Sequence, residues 1–199
     1  MTTTKSVNIA VFASHGGSDL QAVIDACKAG KLKAEVRAVI SNNADSTALQ
    51  RARDNGIPAY HFDAQNEWLE GILDTAILNT LKRHDVQIVF LAGYLKKLGT
   101  KVSKAYEGSV YNIHPSLLPK YGGKGMYGLN VHKAVINAGE TETGITIHRV
   151  TGEYDAGEII AQRKVAVLKD DTPETLAARV LEQEHIFIVE TLAKIIGQS

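Results

Sequence analysis

Short apolar runs rich in branched residues alternate with helical patterns in the first half of the chain. Three runs have this character: residues 7–13, 36–40 and 88–92. Such runs are typical of strands buried on both faces of a parallel sheet. Three segments show apolar residues at helical spacing: 18–29, 46–55 and 67–84. Ser18 is expected to cap the first helix, and Gly30 and Gly56 are expected to end the first two.

The second half of the chain contains longer elements. The pattern predicts a helix over 130–138, two strands over 144–150 and 158–167, and a final helix that starts at Pro173 behind a Thr172 cap. Together the elements predict an α/β fold: a doubly wound, mostly parallel open sheet with a C-terminal strand pair and a long final helix. We expect a single domain over residues 1–199.

Asn112 and His114 stand at the end of a predicted strand and are the strongest candidates for chemistry. Residues 108–111 have the pattern of a strand, and side chains two apart on a strand point the same way. Pro115 and Pro119 then remove backbone donors, so the strand cannot continue. An amide can donate to a developing oxyanion and an imidazole handles a proton near neutral pH, so the pair suits carbonyl transfer.

Composition and charge argue against several classes of protein. Lys+Arg and Asp+Glu both number 22, so the net charge is zero and a general nucleic-acid or membrane-surface role gains no support. One cysteine, Cys27, excludes an internal disulfide and a cysteine-based zinc site. The sequence shows neither a signal-peptide pattern nor an apolar stretch of about 18 residues, so a cytoplasmic protein is expected.

A glycine turn follows the first predicted strand. Gly16 and Gly17 precede a helix N-terminus, where backbone N–H groups and the helix dipole attract anions. The turn is equally compatible with a phosphate site and with an ordinary tight connection. Asp19 complicates the first interpretation, because a carboxylate repels phosphate unless it faces away.

The segment 123–128 matches the pattern G-x-G-x-x-G, but it follows a proline-rich turn instead of a strand. We therefore do not interpret it as a dinucleotide fingerprint. Two alternatives stay open: a mobile loop whose Lys124, Met126 and Tyr127 close over a ligand, and an irregular surface loop.

Two carboxylates further along the chain also have two interpretations each. Asp155, in the turn 151–157, could orient His114 or make only a local turn bond. Glu184 on the final helix could lie on a solvated face or point into a cleft. The six other histidines need no catalytic role, and no H-E-x-x-H spacing indicates a metal site, so no metal is expected.

The segment 112–119, of sequence NIHPSLLP, resembles the signature of the folate-dependent formyltransferases. The glycine turn before residue 20, the stretch 91–94 and the turn 155–160 match that family in order and spacing, so the resemblance covers nearly the whole chain. It implies a Rossmann-like formyltransferase fold, with about 1–106 as a phosphate-binding half and about 107–199 as a formyl-folate half. Within the family it is closest to the enzymes of de novo purine (IMP) synthesis that pass a formyl group from 10-formyltetrahydrofolate to the amine of 5'-phosphoribosylglycinamide.

The resemblance also implies roles for individual residues. The catalytic trio corresponds to Asn112, His114 and Asp155. The residues around phosphoribosylglycinamide correspond to Gly17, Ser18, Asp19 and Glu184. The pocket of the cosubstrate 10-formyltetrahydrofolate corresponds to Leu95, Lys96, Lys97, Leu98, Asn112, Thr151, Gly152, Glu153, Tyr154 and Asp155. The implied partners are these two small molecules, without metal, nucleic acid or membrane, and a homodimer is left open.

Three features depart from the family pattern. Asp19 stands where the family usually has asparagine. No arginine between residues 62 and 73 matches the one that some members have near the folate tail, and the segment after Pro119 is longer and richer in glycine.

Two rival functions follow from the same fold. One is hydrolysis of 10-formyltetrahydrofolate, in which water replaces the amine. Those hydrolases generally carry an extra N-terminal domain, which is not expected here because the first strand begins at about residue 7. The other is a non-catalytic ligand-binding protein, against which the intact trio argues.

Overall fold

The computed structural model describes residues 6–64 and 67–197. These residues form seven strands and six helices. The strands are β1 (Val7–Phe12), β2 (Ala34–Ser41), β3 (Ala59–His61), β4 (Ile88–Leu91), β5 (Val110–His114), β6 (Glu142–Arg149) and β7 (Ile159–Ala166). The helices are α1 (Ser18–Lys28), α2 (Thr47–Asp54), α3 (Glu67–Arg83), α4 (Thr100–Ala105), α5 (Leu129–Asn137) and α6 (Pro173–Gly197).

The strands form one open sheet in the order β3-β2-β1-β4-β5-β6-β7. Strands β1 to β5 pair in parallel, whereas β6 is antiparallel to both β5 and β7. The predicted architecture is therefore confirmed, including the C-terminal strand pair and the long final helix. The direction of strand addition reverses between β1 and β4, and such a switch point opens a crevice at the carboxyl ends of the strands.

Helices cover both faces of the sheet, as the uninterrupted apolar runs of its strands predict. Ile9 and Val11 of β1 pack in a core with residues of α1, α2, α5 and α6. Ala10 and Phe12 of the same strand pack with residues of α3 and α4. Successive side chains of a strand point to opposite faces of the sheet, so β1 contributes side chains to both cores.

Three elements differ from the sequence-based prediction. The short elements β3 and α4 were not predicted, because three and six residues are too few to establish a period. Strand β5 extends beyond residues 108–111 and contains Asn112 and His114 themselves. It continues because Asn112 pairs with Leu91 of β4 on one side and with His148 of β6 on the other.

The start of α1 shows that the prediction of a Ser18 cap is wrong. Ser18 is the first helical residue, and the capping position is Gly17, which has φ +66°. A Cβ on Gly17 would lie 2.7 Å from the Cβ of Ala48 in α2, so the left-handed backbone and the close approach both require glycine. Gly30 and Gly56 follow α1 and α2 with φ of +69° and +70°, as predicted for C-terminal stops.

The start of α6 agrees with the prediction. Oγ1 of Thr172 accepts a hydrogen bond from the backbone N–H of Thr175, which caps the helix. The carboxylate of Asp171 accepts bonds from Nη1 and Nη2 of Arg179 at 2.6 and 2.7 Å, and from the N–H of Leu168 at 2.7 Å. The bond from Arg179 is the main reason that the pKa of Asp171 lies well below its ordinary value.

We expect Asp171→Ala to lower the free energy of unfolding by about 2 kcal/mol, because charge-assisted hydrogen bonds are lost. The contribution of Asp171 is fully present above the unfolded pKa of about 4 and is lost as the pH falls through the lower folded pKa. Chemical denaturation at neutral and acid pH measures the effect, with Asp170→Ala at the exposed neighbouring position as the control. An equal loss at neutral and acid pH would contradict the role assigned to the charge.

Candidate active site

A cavity of about 580 Å³ opens at the carboxyl ends of β1, β4 and β5, where the strand order switches. Its walls come from six parts of the chain: residues 15–19, 92–95, 112–115, 123–128 and 154–155, and Glu184. The cavity therefore brings together the residues predicted around phosphoribosylglycinamide and the predicted trio Asn112, His114 and Asp155.

His148 orients the carboxamide of Asn112. Nδ1 of His148 lies 3.2 Å from the carbonyl of Arg149, which can only accept, so this nitrogen carries the proton. Nε2 of His148 then accepts a hydrogen bond from Nδ2 of Asn112 at 3.1 Å. Burial lowers the pKa of His148, which keeps the ring neutral. An amide nitrogen carries two hydrogens, so Asn112 retains a second donor for a ligand in the cavity.

His114 is 4% exposed and lies between a backbone carbonyl and a carboxylate. Its Nε2 donates to the carbonyl of Tyr121 at 2.8 Å, and its Nδ1 lies 3.4 Å from Oδ1 of Asp155. Both ring nitrogens thus face oxygen acceptors, an arrangement that a ring with two protons satisfies. A ring nitrogen that carries a proton can also donate to a ligand oxygen.

Asp155 connects His114 to the loop that lines the cavity. It has φ +50°, a left-handed conformation that aspartate adopts more readily than most residues. Oδ2 of Asp155 accepts a hydrogen bond from the N–H of Gly123 at 2.7 Å, while Oδ1 faces His114 and lies 3.9 Å from Nε2 of His148. Of the two interpretations of Asp155, the structure therefore supports the one in which its carboxylate reaches His114.

The turn after β1 directs the N-terminus of α1 into the cavity. The turn is held from α2, where the N–H of Ala48 donates to the carbonyl of His15 at 2.9 Å and Nε of Arg51 donates to the carbonyl of Gly16 at 2.8 Å. The capping residue Gly17 has no side chain that could bond to the first N–H groups of α1. These groups and the positive end of the helix dipole can bind an anion in the cavity.

Two carboxyl groups are buried at this end of the cavity. Glu184 is 8% exposed, and the side chain of Asp19 is 12% exposed. Burial raises the pKa of Asp19 to about 6. Burial, and to a smaller extent the charge of Asp19, raise the pKa of Glu184 well above its ordinary value. Glu184 thus lines the cavity instead of lying on a solvated face, and Asp19 lines the same cavity from the first turn of α1.

A smaller cavity of about 100 Å³ shares part of its wall with the first. It contains most residues predicted for the folate pocket: Lys96, Lys97, Leu98, Asn112, Thr151, Gly152, Glu153, Tyr154 and Asp155. Leu95 lies in the wall of the larger cavity instead. Nζ of Lys97 lies 4.9 Å from the ring centre of Tyr154. Asn112, Tyr154 and Asp155 line both cavities, so the cavities meet at the predicted catalytic residues.

One contact of Asn112 and one of His114 were not predicted from the sequence. His148 was among the histidines for which no role was expected, yet it bonds to Asn112. These two residues become neighbours through the antiparallel register of β5 and β6, and that register is the signal that would have revealed the contact. Tyr121 contributes a backbone carbonyl, which has no signature in a sequence.

In residues 6–64 and 67–197, no three His, Cys, Asp or Glu side chains are grouped so that they could hold a metal ion. None of the described helices is long and apolar enough to cross a membrane.

The family model for formyl transferases matches residues 7–192 of this chain. The chain belongs to the formyl transferase family. The match includes all the strands of the sheet and the residues that line both cavities, and it confirms the resemblance seen first in the segment 112–119.

Named relatives have similar sequences and folds. The chloroplastic phosphoribosylglycinamide formyltransferase of Vigna unguiculata is 45% identical over 190 residues, which are 96% of this chain and 61% of the relative. The phosphoribosylglycinamide formyltransferase of Escherichia coli K12 is 41% identical over 179 residues, 90% of this chain and 82% of the relative. Glycinamide ribonucleotide transformylase 1 from Symbiobacterium toebii has a solved structure with a TM-score of 0.89 and 34% identity, covering 98% of this chain and 90% of that one.

The plant relatives are longer than this chain and are named for another compartment. The chain spans 61% of the Vigna protein and 64% of the Arabidopsis thaliana protein, and both are called chloroplastic. The cytoplasmic location expected from the sequence therefore stays a prediction.

Proposed function

We propose that this protein transfers the formyl group of 10-formyltetrahydrofolate to the primary amine of 5'-phosphoribosylglycinamide, a step of de novo purine synthesis. One observation carries the proposal: Asn112 and Asp155 belong to the walls of two cavities, with His114 beside them. Reactive groups in a shared wall suit a reaction between two bound molecules. The names of the relatives from Vigna and Escherichia coli support the choice of acceptor.

Each cavity suits one of the two molecules. In the larger one, the backbone N–H groups behind Gly17, together with Ser18, would bind the phosphate at the positive end of α1. Glu184 would accept a hydrogen bond from the glycinamide part of the substrate. The smaller cavity, between residues 96–98 and 151–155, would take the pterin ring of the folate.

The proposed reaction passes through a tetrahedral intermediate. The amine of phosphoribosylglycinamide attacks the formyl carbon, whose carbonyl oxygen becomes an oxyanion. Nδ2 of Asn112 and the protonated ring of His114 would stabilise that oxygen. The bond from the formyl carbon to N10 of the folate then breaks, and N10 takes up a proton as the former amine loses one.

The remaining groups hold this arrangement together. Asp155 would balance the charge of the His114 ring and keep the ring in place. Nε2 of His114 donates to the carbonyl of Tyr121, so this carbonyl must share or release the donor when the oxyanion forms. No covalent intermediate with the protein is required, because the amine of the substrate is itself the nucleophile.

Incubation of the purified protein with 10-formyltetrahydrofolate, with and without phosphoribosylglycinamide, tests the proposal. We expect tetrahydrofolate and the formylated amide to appear in equal amounts, and only when the amine is present. Glycinamide without the phosphoribosyl group is the matched control and should react far more slowly, because the phosphate contacts at α1 are missing.

The two rival functions give different results in this experiment. Release of formate at the same rate with and without the amine would identify a hydrolase. Binding of the folate without turnover under either condition would identify a non-catalytic binding protein. Either result would overturn the proposed transfer.

A further inference from the structure

Asp19 is a buried carboxyl group whose side chain has no part in the proposed chemistry. It lies in the first turn of α1 and lines the larger cavity, beside the N–H groups proposed to bind the phosphate. Its Oδ1 is buried and has no hydrogen-bond partner in the described part of the chain. Oδ1 has almost no contact with solvent and faces Nε2 of His185, which also lacks a hydrogen-bond partner in the described residues. An ionised carboxylate is unfavourable in this position, so the charge on Asp19 should affect what the cavity binds.

Charged groups of two other helices lie near the turn that holds Asp19. From α6, the buried carboxyl of Glu184 interacts with it electrostatically, and Nε2 of His185 lies 3.7 Å from its Oδ1. From α2, Arg51 donates to the carbonyl of Gly16 at the start of the same turn. Burial, and then the charge of Arg51, lower the pKa of His185, so His185 is mostly neutral near pH 7 and does not neutralise Asp19.

In the described residues, the other elements that pack against α1 place no further carboxylate near its N-terminus. Strand β2 packs against α1, but its charged residues Glu35 and Arg37 line a separate cavity with Lys28, at the far end of α1. The wall of the larger cavity adds His15 and Lys124, both of which would attract the phosphate.

Two neighbouring buried carboxyl groups resist the loss of both protons. Burial raises the pKa of Asp19 to about 6 and raises that of Glu184 well above its ordinary value, so the pair holds its protons to higher pH than two exposed carboxyls would. As the pH rises further, both groups ionise.

We infer that Asp19, together with Glu184, determines the ionisation state in which the site accepts its phosphate ester. The ester binds while the pair retains a proton, and it is bound poorly when both carboxyls are ionised. The inference rests on the proposed function, since phosphoribosylglycinamide is the ester in question. A protonated carboxyl can donate to a phosphate oxygen, whereas two carboxylates beside the first turn of α1 oppose the attraction of the helix for a dianion.

Binding of phosphoribosylglycinamide to the parent protein, to Asp19→Asn and to Asp25→Asn tests this inference. Asp25 lies on α1 and is exposed, so Asp25→Asn is the matched control. Calorimetry from about pH 5 to about pH 8, in buffers with different heats of ionisation, gives the Kd and the number of protons taken up. Titration of the ligand's own phosphate is common to all three proteins and cancels in the comparison.

As the pH rises over this range, the Kd of the parent and of Asp25→Asn should increase. That increase should be on the order of tenfold greater than the increase for Asp19→Asn. Proton uptake on binding should also be smaller in Asp19→Asn. If Asp19→Asn folds poorly, Glu184→Gln, which removes the other ionisable carboxyl, should flatten the pH dependence of the Kd in the same way.

Two results would overturn the inference, and they are distinguishable from each other. Parallel pH profiles in the parent and in Asp19→Asn, with formyl transfer intact in the parent, would overturn the role of Asp19 alone. Absence of both binding and formyl transfer in the parent at every pH would overturn the proposed function and the inference with it.

Discussion

Asn112→Ala and His114→Ala are each expected to lower kcat for formyl transfer by roughly 10²–10³-fold or more, because each removes one donor to the oxyanion. The donors act on charge that develops only in the transition state. KM for both substrates should therefore change much less than kcat. Steady-state kinetics with each substrate varied in turn separates the two effects.

His61→Ala is the matched control for these variants. His61 is exposed at the end of β3 and lines neither of the two cavities, so its replacement should leave kcat unchanged. Circular dichroism and thermal unfolding establish that each variant is folded. Turnover near that of the parent in a folded Asn112→Ala or His114→Ala would overturn the assignment of the trio.

Asp155→Asn is expected to lower kcat by about 10²-fold or more, because an amide cannot balance the charge of the His114 ring. The substitution changes the contact of Asp155 with the His114 ring and keeps its contact with Gly123. A carbonyl oxygen at this position can still accept the hydrogen bond from the N–H of Gly123, so the loop should stay anchored. Asp155→Ala removes both contacts and should be at least as slow.

Hydrogen exchange distinguishes the two contacts directly. The amide of Gly123 should exchange faster in Asp155→Ala than in the parent or in Asp155→Asn, since only the alanine variant loses the acceptor. Glu158→Gln, at an exposed carboxylate after the same turn, is the control and should leave kcat unchanged. Parent-like turnover in Asp155→Asn would mean that Asp155 acts only as a loop anchor.

Most of the sheet could be predicted because its strands are buried on both faces and appear in the sequence as continuous apolar runs. The helix ends were predictable where the residue type itself determines the backbone, as at Gly30, Gly56 and Thr172. The cap of α1 was not predictable, because the capping position depends on how closely Ala48 approaches Gly17. That distance is a property of packing between two helices and not of the local sequence.

Within the site, the arrangement of the predicted trio was also only partly predictable from local sequence. Asn112 and His114 could be paired from the sequence, since residues two apart on a strand share a face. Asp155 had two interpretations on local grounds, and only the family resemblance connected it with His114. Its contact at 3.4 Å depends on the turn between β6 and β7 folding back over the end of β5.

By itself, the sequence determined the α/β architecture, the strand end that carries Asn112 and His114, and the resemblance to formyltransferases, because period, turn chemistry and a contiguous motif are local properties.

Tertiary structure alone decided which distant groups meet at that strand end. It brought His148 to Asn112 through strand register, and the carbonyl of Tyr121 to His114 through the loop. It also buried Asp19 near Glu184 by packing α1 against α6, and so produced two raised pKa values. Desolvation and charge coupling arise only when segments far apart in the chain exclude water together, and no local pattern encodes them.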